Sequence, residues 1–330
     1  MSIFLVQNKE LVMETIARSG WFRAAIALLV LGAGVVLLGL WPRQASAEQE
    51  RLQVVVSIPP QKYFVQQIGG EYVDVSVLLP PGASPHGFEP KSSQMAELGQ
   101  AQLYLAIGVE YEKNLLPKLE SMHPELEIVH TEQGIRQIPM QGDGNGSGNH
   151  SHDHKHEHED SHDQEGRDPH VWLAPDLALI QAQNIYQALA GALPEKKPEL
   201  QENLIGLQQE ILELHQEIMT ALQDVEPGSK FMVLHPAWAY FARTYGLVQI
   251  PIELEGKEPK ARHLKELIDL AREEGIQVVF VSPQFSESSA RQIADSISGE
   301  ILSIDPLAQD WMQNMQEVAD KFRQAVQDGS

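Results

Sequence analysis

Residues 199–225, ELQENLIGLQQEILELHQEIMTALQDV, decide the fold. Apolar side chains recur at Leu200, Leu204, Leu207, Ile211, Leu214, Ile218, Leu222 and Val225, always three or four residues apart. That is one unbroken amphipathic stripe of helical period. At a rise of about 1.5 Å per residue such a helix runs about 40 Å, long enough to join two lobes. A helix on the solvent side of a single lobe would carry the same stripe, so the flanking sequence has to choose between them.

Upstream, Leu52–Ile58, Tyr72–Leu79, Leu103–Ile107 and Leu126–Val129 read as strands. Helical stretches lie between them, one stopped by Gly69-Gly70, then Ser92–Gln100 and Tyr111–Met122, which contains Pro117. A helix over Pro175–Leu193 follows, ended by Pro194 and Pro198. Downstream the rhythm restarts, with strands at Phe231–Leu234, Val248–Ile252, Gln277–Val281 and Ile301–Ile304. The helices of that half are expected at Pro236–Tyr245, Ala261–Glu274, Ser286–Ser298 and Ala308–Gln327. Strands alternating with helices imply parallel sheets covered on both faces. The fold expected is therefore α/β in two halves joined through helices, each with a mainly parallel four-stranded sheet. The lobes are assigned to residues 48–195 and 227–330, with the linking helix over 196–226.

The ends and the middle of the chain read differently. Ala24–Trp41 is 18 residues without a charge, preceded by Arg18 and Arg23, broken by Pro42 and followed by Ala45-Ser46-Ala47. This is the layout of a secretory signal peptide, residues 1–47, cleaved after Ala47. An uncleaved membrane anchor is the alternative, because the run is near the lower limit for spanning a bilayer. The long stretch before the apolar run allows Met13 as a start. Residues 141–167, QGDGNGSGNHSHDHKHEHEDSHDQEGR, are almost wholly polar and can bury nothing to offset their chain entropy, so a mobile loop is expected there. The tract holds His150, His152, His154, His156, His158 and His162, with a net charge of −5.

Composition narrows the chemistry. The 330 residues carry a formal charge of −22, which becomes −24 once a leader with four basic and two acidic residues is removed. A nucleic-acid partner needs a basic face, so that class is excluded. With no Cys, disulfides, thiol nucleophiles, Cys-type zinc sites and a lipid-modified Cys are excluded as well.

Four residues of metal-ligand type fall at strand ends or just after the polar tract, where ligands collect in open parallel sheets. They are His86, His170, His235 and Asp305, and each has a proline as immediate neighbour. Three imidazoles with a carboxylate or water suit Zn²⁺. His123, His130, His215 and His263 lack that placement and read as surface or structural residues.

The segments LPPGASPHGFEP (79–90), DPHVWLAP (168–175), LHPAWAYFARTYGL (234–247), EPKA (258–261) and SIDPLA (303–308) occur in this order. They resemble the metal-specific substrate-binding proteins of bacterial ABC uptake transporters, and more narrowly the periplasmic zinc-binding, ZnuA-type branch. The resemblance covers residues 50–328. It implies two lobes bridged by one long rigid helix, with metal held between them by His86 and His170 from the first lobe and His235 and Asp305 from the second. In some zinc proteins of the family water takes the fourth place. Manganese-binding relatives carry Glu where His235 stands, and His there favours zinc. The resemblance further implies Zn²⁺ as cargo, a membrane permease with its cytoplasmic ATPase as partner, a monomeric protein in the periplasm, and no enzymatic activity. The His-rich tract then reads as an accessory zinc collector or sensor, against a plain solvated spacer. Two other readings stand beside this one. One is a carrier of manganese or another divalent metal. The other is a zinc hydrolase, although no H-E-x-x-H signature occurs and only Glu89 and Glu253 are near enough to be considered as bases.

Overall fold

The first sheet forms because β1 (Leu52–Val56), β2 (Val73–Val77), β3 (Leu103–Ala106) and β4 (Glu127–His130) are short, β-branched or aromatic runs. The computed structural model describes residues 51–141, 166–253 and 257–327. The leader segment 1–47 and the six histidines of the polar tract lie outside the described residues. The strands are ordered β2-β1-β3-β4, and every pair is parallel. Helices α1 (Pro59–Gly69), α2 (Ser92–Leu98) and α3 (Glu112–Met122) make the crossovers, α3 continuing through Pro117.

Two helices follow, α4 (Pro175–Ala192) and α5 (Lys197–Ala221). The second is the helix of the opening stripe. It buries Leu200, Leu204, Leu207, Ile211, Leu214 and Ile218 and runs about 38 Å at the standard rise. It stops four residues before Val225, in a turn that leads to Pro227.

The second sheet repeats the first. Strands β5 (Lys230–Val233), β6 (Val248–Pro251), β7 (Val278–Val281) and β8 (Glu300–Ser303) are ordered β6-β5-β7-β8, again all parallel. Its helices are α6 (Ala239–Tyr245), α7 (Ala261–Glu273), α8 (Ser288–Ile297) and α9 (Trp311–Gln327). The two-lobe α/β architecture with a long connecting helix is thus as the sequence implies.

The central strands of the second sheet, β5 and β7, are buried on both faces, and the pleat sorts their side chains by the period of two. Phe231, Val233, Val278 and Phe280 face a core that they share with the first sheet, α1, α4, α5 and α9. Met232, Leu234, Val279 and Val281 face a second core, with Leu267 of α7 and Ile293 of α8. The shared core makes Glu50–Ser330 one compact unit, so the lobes are parts of a single body. Among the described residues no helix is long and apolar enough to cross a membrane.

Candidate metal centre

The strand ends of the two sheets build the centre. His86 comes from the loop after β2, and His235 follows β5 by two residues. His170 lies before a short helical turn, Val171–Leu173, that leads into α4. Its segment is pinned from several sides. A bridge pairs Pro139 with Arg167, the Asp168 N–H donates to the Ile138 carbonyl, and Tyr240 of α6 donates its hydroxyl to the Asp168 carbonyl.

Together these elements place one ligand nitrogen from each of His86, His170 and His235 within 4.8 Å of one another. His86 Nε2 and His235 Nε2 are 3.1 Å apart. Two ligands of a tetrahedral zinc with ordinary Zn–N bonds stand about 3.3–3.4 Å apart. His170 and His235 are buried, and His86 is half-buried. Phe285 stacks flat on the His235 ring, with centroids 4.5 Å apart.

Each imidazole is held from behind by a carboxylate. His86 Nδ1 is 2.7 Å from Glu110 Oε2, His170 Nδ1 is 2.7 Å from Asp168 Oδ1, and His235 Nδ1 is 3.1 Å from Glu253 Oε2. With each Nδ1 donating to its carboxylate, each Nε2 is left with the lone pair that a metal needs. In that tautomer the lone pairs of His86 Nε2 and His235 Nε2 face each other at 3.1 Å, and a cation between them removes the conflict. Burial, then the neighbouring His170 and His86, holds His235 well below the usual imidazole range, so it is neutral and ready to ligate. Burial, then Glu258, pushes Glu253 up to about 7. Asp168 is fully buried, and its Oδ2 has no hydrogen-bond partner among the described residues. The buried carboxylates behind the rings favour a positive charge in the middle.

The sequence model of the family described as zinc-uptake complex component A, periplasmic, matches residues 54–325. The chain belongs to this family, ZnuA. It is 31% identical over 261 residues to the high-affinity zinc uptake system protein ZnuA of Bacillus subtilis, covering 78% of this chain and 77% of that one. It is 26% identical over 281 residues to the zinc-binding lipoprotein AdcA of Streptococcus pneumoniae, covering 83% of this chain but 53% of AdcA, so it spans about half that protein's length. A solved structure of a zinc-bound ZnuA deletion mutant is similar at a TM-score of 0.74 and 40% identity, covering 84% of this chain and 98% of that one.

In this ZnuA-family chain three of the four residues singled out from sequence come together, and Asp305 does not join them. Asp305 Oδ1 instead accepts from Gln284 Nε2 at 2.7 Å and from the Leu307 N–H at 2.9 Å. His215 bonds the Tyr245 hydroxyl, and His130 pairs with Glu132 on the wall of a cavity of about 470 Å³ that also reaches His86 and His235. The carboxylates on the Nδ1 atoms were not assigned this role from sequence. Two of them left a signal. Asp168 stands two residues before His170, and the parallel register of Val233 with Pro251 carries His235 alongside Glu253.

Proposed function

We propose that this protein captures Zn²⁺ through His86, His170 and His235 in the periplasm and delivers it to the membrane permease of an ABC transporter driven by its ATPase. The observation that carries this reading is the convergence of the ring nitrogens, each Nδ1 committed to a carboxylate. The zinc described for the similar ZnuA structure and the zinc-uptake role of the Bacillus relative support it. Zinc rather than manganese follows from the donor set, because Mn²⁺ prefers carboxylate-rich, higher-coordinate sites. Capture is reversible ligation with no bond chemistry, carried out by a monomer exported through its cleaved leader. A hydrolase would need a free general base at the metal, whereas Glu253 is occupied in orienting His235.

The His-rich tract is proposed as a collector of additional zinc. Its flanking residues support this. The Met140 N–H donates to the Gly166 carbonyl, and Met140, Gln141, Gly166 and Arg167 all line the cavity that reaches His86 and His235. The tract therefore starts and ends at the mouth of the path to the centre.

The test is metal analysis and a competition titration on chain purified without added metal. One zinc held tightly is expected, and none in the triple His86→Ala/His170→Ala/His235→Ala variant. A triple variant that still holds one tight zinc would refute the assignment. Deleting residues 144–166 is expected to lower total zinc stoichiometry and capture at low zinc, and unchanged values would refute the collector role.

A further inference from the structure

Three imidazoles supply three donors, and tetrahedral zinc takes four. Asp305, the sequence candidate for the fourth, has one oxygen committed to Gln284 and Leu307. Gln284 lies in the turn between β7 and α8. Its Nε2 donates to Asp305 Oδ1, and a carboxylate oxygen can only accept, so the amide cannot be turned the other way round. The amide oxygen is left as the group pointing elsewhere. It is buried and has no hydrogen-bond partner among the described residues.

That oxygen belongs to a residue lining the small cavity shared by the three imidazoles. Its walls are His86, His170, His235 and Gln284, with Phe285 and Leu307 among the apolar ones, and Asp305 is not among them. The room for the centre of a water-sized sphere there is about 10 Å³, close to what a single water needs. One ion fills that space, and the larger cavity meets it at His86 and His235.

We infer that Gln284 Oε1 is the fourth donor to the bound cation, and that Asp305 is a positioning residue that holds the amide with its oxygen inward. This rests on the reading of the three histidines as a metal site. The consequence for selectivity and release is direct. Three neutral imidazoles and a neutral amide leave the ion its full charge, which Glu110, Asp168, Glu253 and Asp305 offset from one residue farther out. A neutral oxygen binds a divalent ion more weakly than a carboxylate would, which suits a carrier that must give its cargo up. It also withholds the anionic oxygen that Mn²⁺ prefers.

The test uses the purified chain and its Gln284→Leu, Gln284→Glu and Asp305→Asn variants. Each is loaded with Zn²⁺ in competition with a chromophoric chelator, and with Co²⁺ to record the visible ligand-field spectrum. Gln284→Leu is expected to weaken zinc by roughly tenfold or more and to change the Co²⁺ spectrum. Gln284→Glu is expected to keep a four-coordinate Co²⁺ band and to raise Mn²⁺ affinity relative to Zn²⁺. Asp305→Asn is expected to weaken zinc less than Gln284→Leu, with the band retained. Unchanged affinity and spectrum in Gln284→Leu would overturn the inference, as would an unchanged Mn²⁺ to Zn²⁺ ratio in Gln284→Glu. Loss of the band in Asp305→Asn with its retention in Gln284→Leu would make Asp305 the ligand. Failure of the parent chain to bind either ion would instead count against the metal reading itself.

Discussion

Asp168 and Glu253 decide how well the buried imidazoles present their Nε2 atoms, since each accepts a proton-bearing Nδ1. Replacing either by its amide keeps the shape but allows the wrong tautomer. Asp168→Asn and Glu253→Gln are each expected to weaken zinc about 10–100-fold, measured by competition titration. A loss smaller than threefold would mean that packing alone orients the rings. A third buried carboxylate makes a prediction about pH. Glu112 accepts from Ser57 Oγ and from the Ile107 and Gly108 N–H groups, and burial pushes it up to about 7. Between its unfolded value near 4.5 and 7 the native state binds the extra proton. That contribution to stability is therefore complete below about 4.5 and is lost as pH rises through 7, on the order of 3 kcal/mol in all. In Glu112→Gln the loss is expected to disappear, so urea unfolding of the metal-free variant should fall off less than the parent between pH 5 and pH 8. His235, whose lowered value makes stability rise with pH, contributes equally to both chains and drops out of the comparison.

At the scale of elements, the long helix was legible because its stripe is continuous and its far face is mostly polar. Neighbouring residues on it should behave oppositely. Ile211 is fully buried in the shared core, and Leu212 is 48% exposed. Ile211→Ala is expected to cost about 2–5 kcal/mol through the cavity it leaves, and Leu212→Ala to stay within about 0.5 kcal/mol. Similar losses in chemical unfolding would place the helix differently. What sequence missed lies at the other end of the elements. Three helices of the second lobe begin two or three residues later than their patterns suggest, at Ala239, Ser288 and Trp311. For the first of them the reason is tertiary, since the Trp238 N–H donates to Gln249 Oε1 of β6; for the last it is a local turn, in which the Leu307 N–H donates to Asp305 Oδ1 two residues before it. The residues given up this way are Pro236–Trp238, Ser286-Glu287 and Ala308–Asp310, next to the loops that carry His235, Gln284 and Asp305. Local periodicity cannot report a cap that arrives from another strand. For the same reason the sequence offered four ligands but not the bond that turns Asp305 toward Gln284.

At the scale of the molecule, the two lobes are fastened where the centre is built. Trp172, two residues after His170, donates its ring N–H to the Pro306 carbonyl of the second lobe, and Trp311 donates back to the Trp172 carbonyl, both at 2.7 Å. Phe64 of α1 packs on Trp311 with centroids 5.0 Å apart, inside the core common to both sheets. Opening the cleft widely would tear these contacts and expose that core, so the cost of a hinge motion here is the cost of unfolding a joint. Zinc is therefore expected to act on the loops and to leave the body unchanged. Removing it should raise amide exchange around residues 80–88, 168–173, 235–238 and 282–286, while exchange in α5 and the radius of gyration in solution stay the same. Because His86, His170 and His235 converge only in the folded chain, zinc at 100 times the Kd of that site should add about 2.7 kcal/mol of stability. For a unit of this size that raises the melting temperature by about 5 °C. The triple histidine variant should show neither the protection nor the shift. A radius that shrinks on zinc binding, or exchange that slows along α5, would mean that the lobes close on their cargo, and release would then need only reopening rather than a partner that distorts the site.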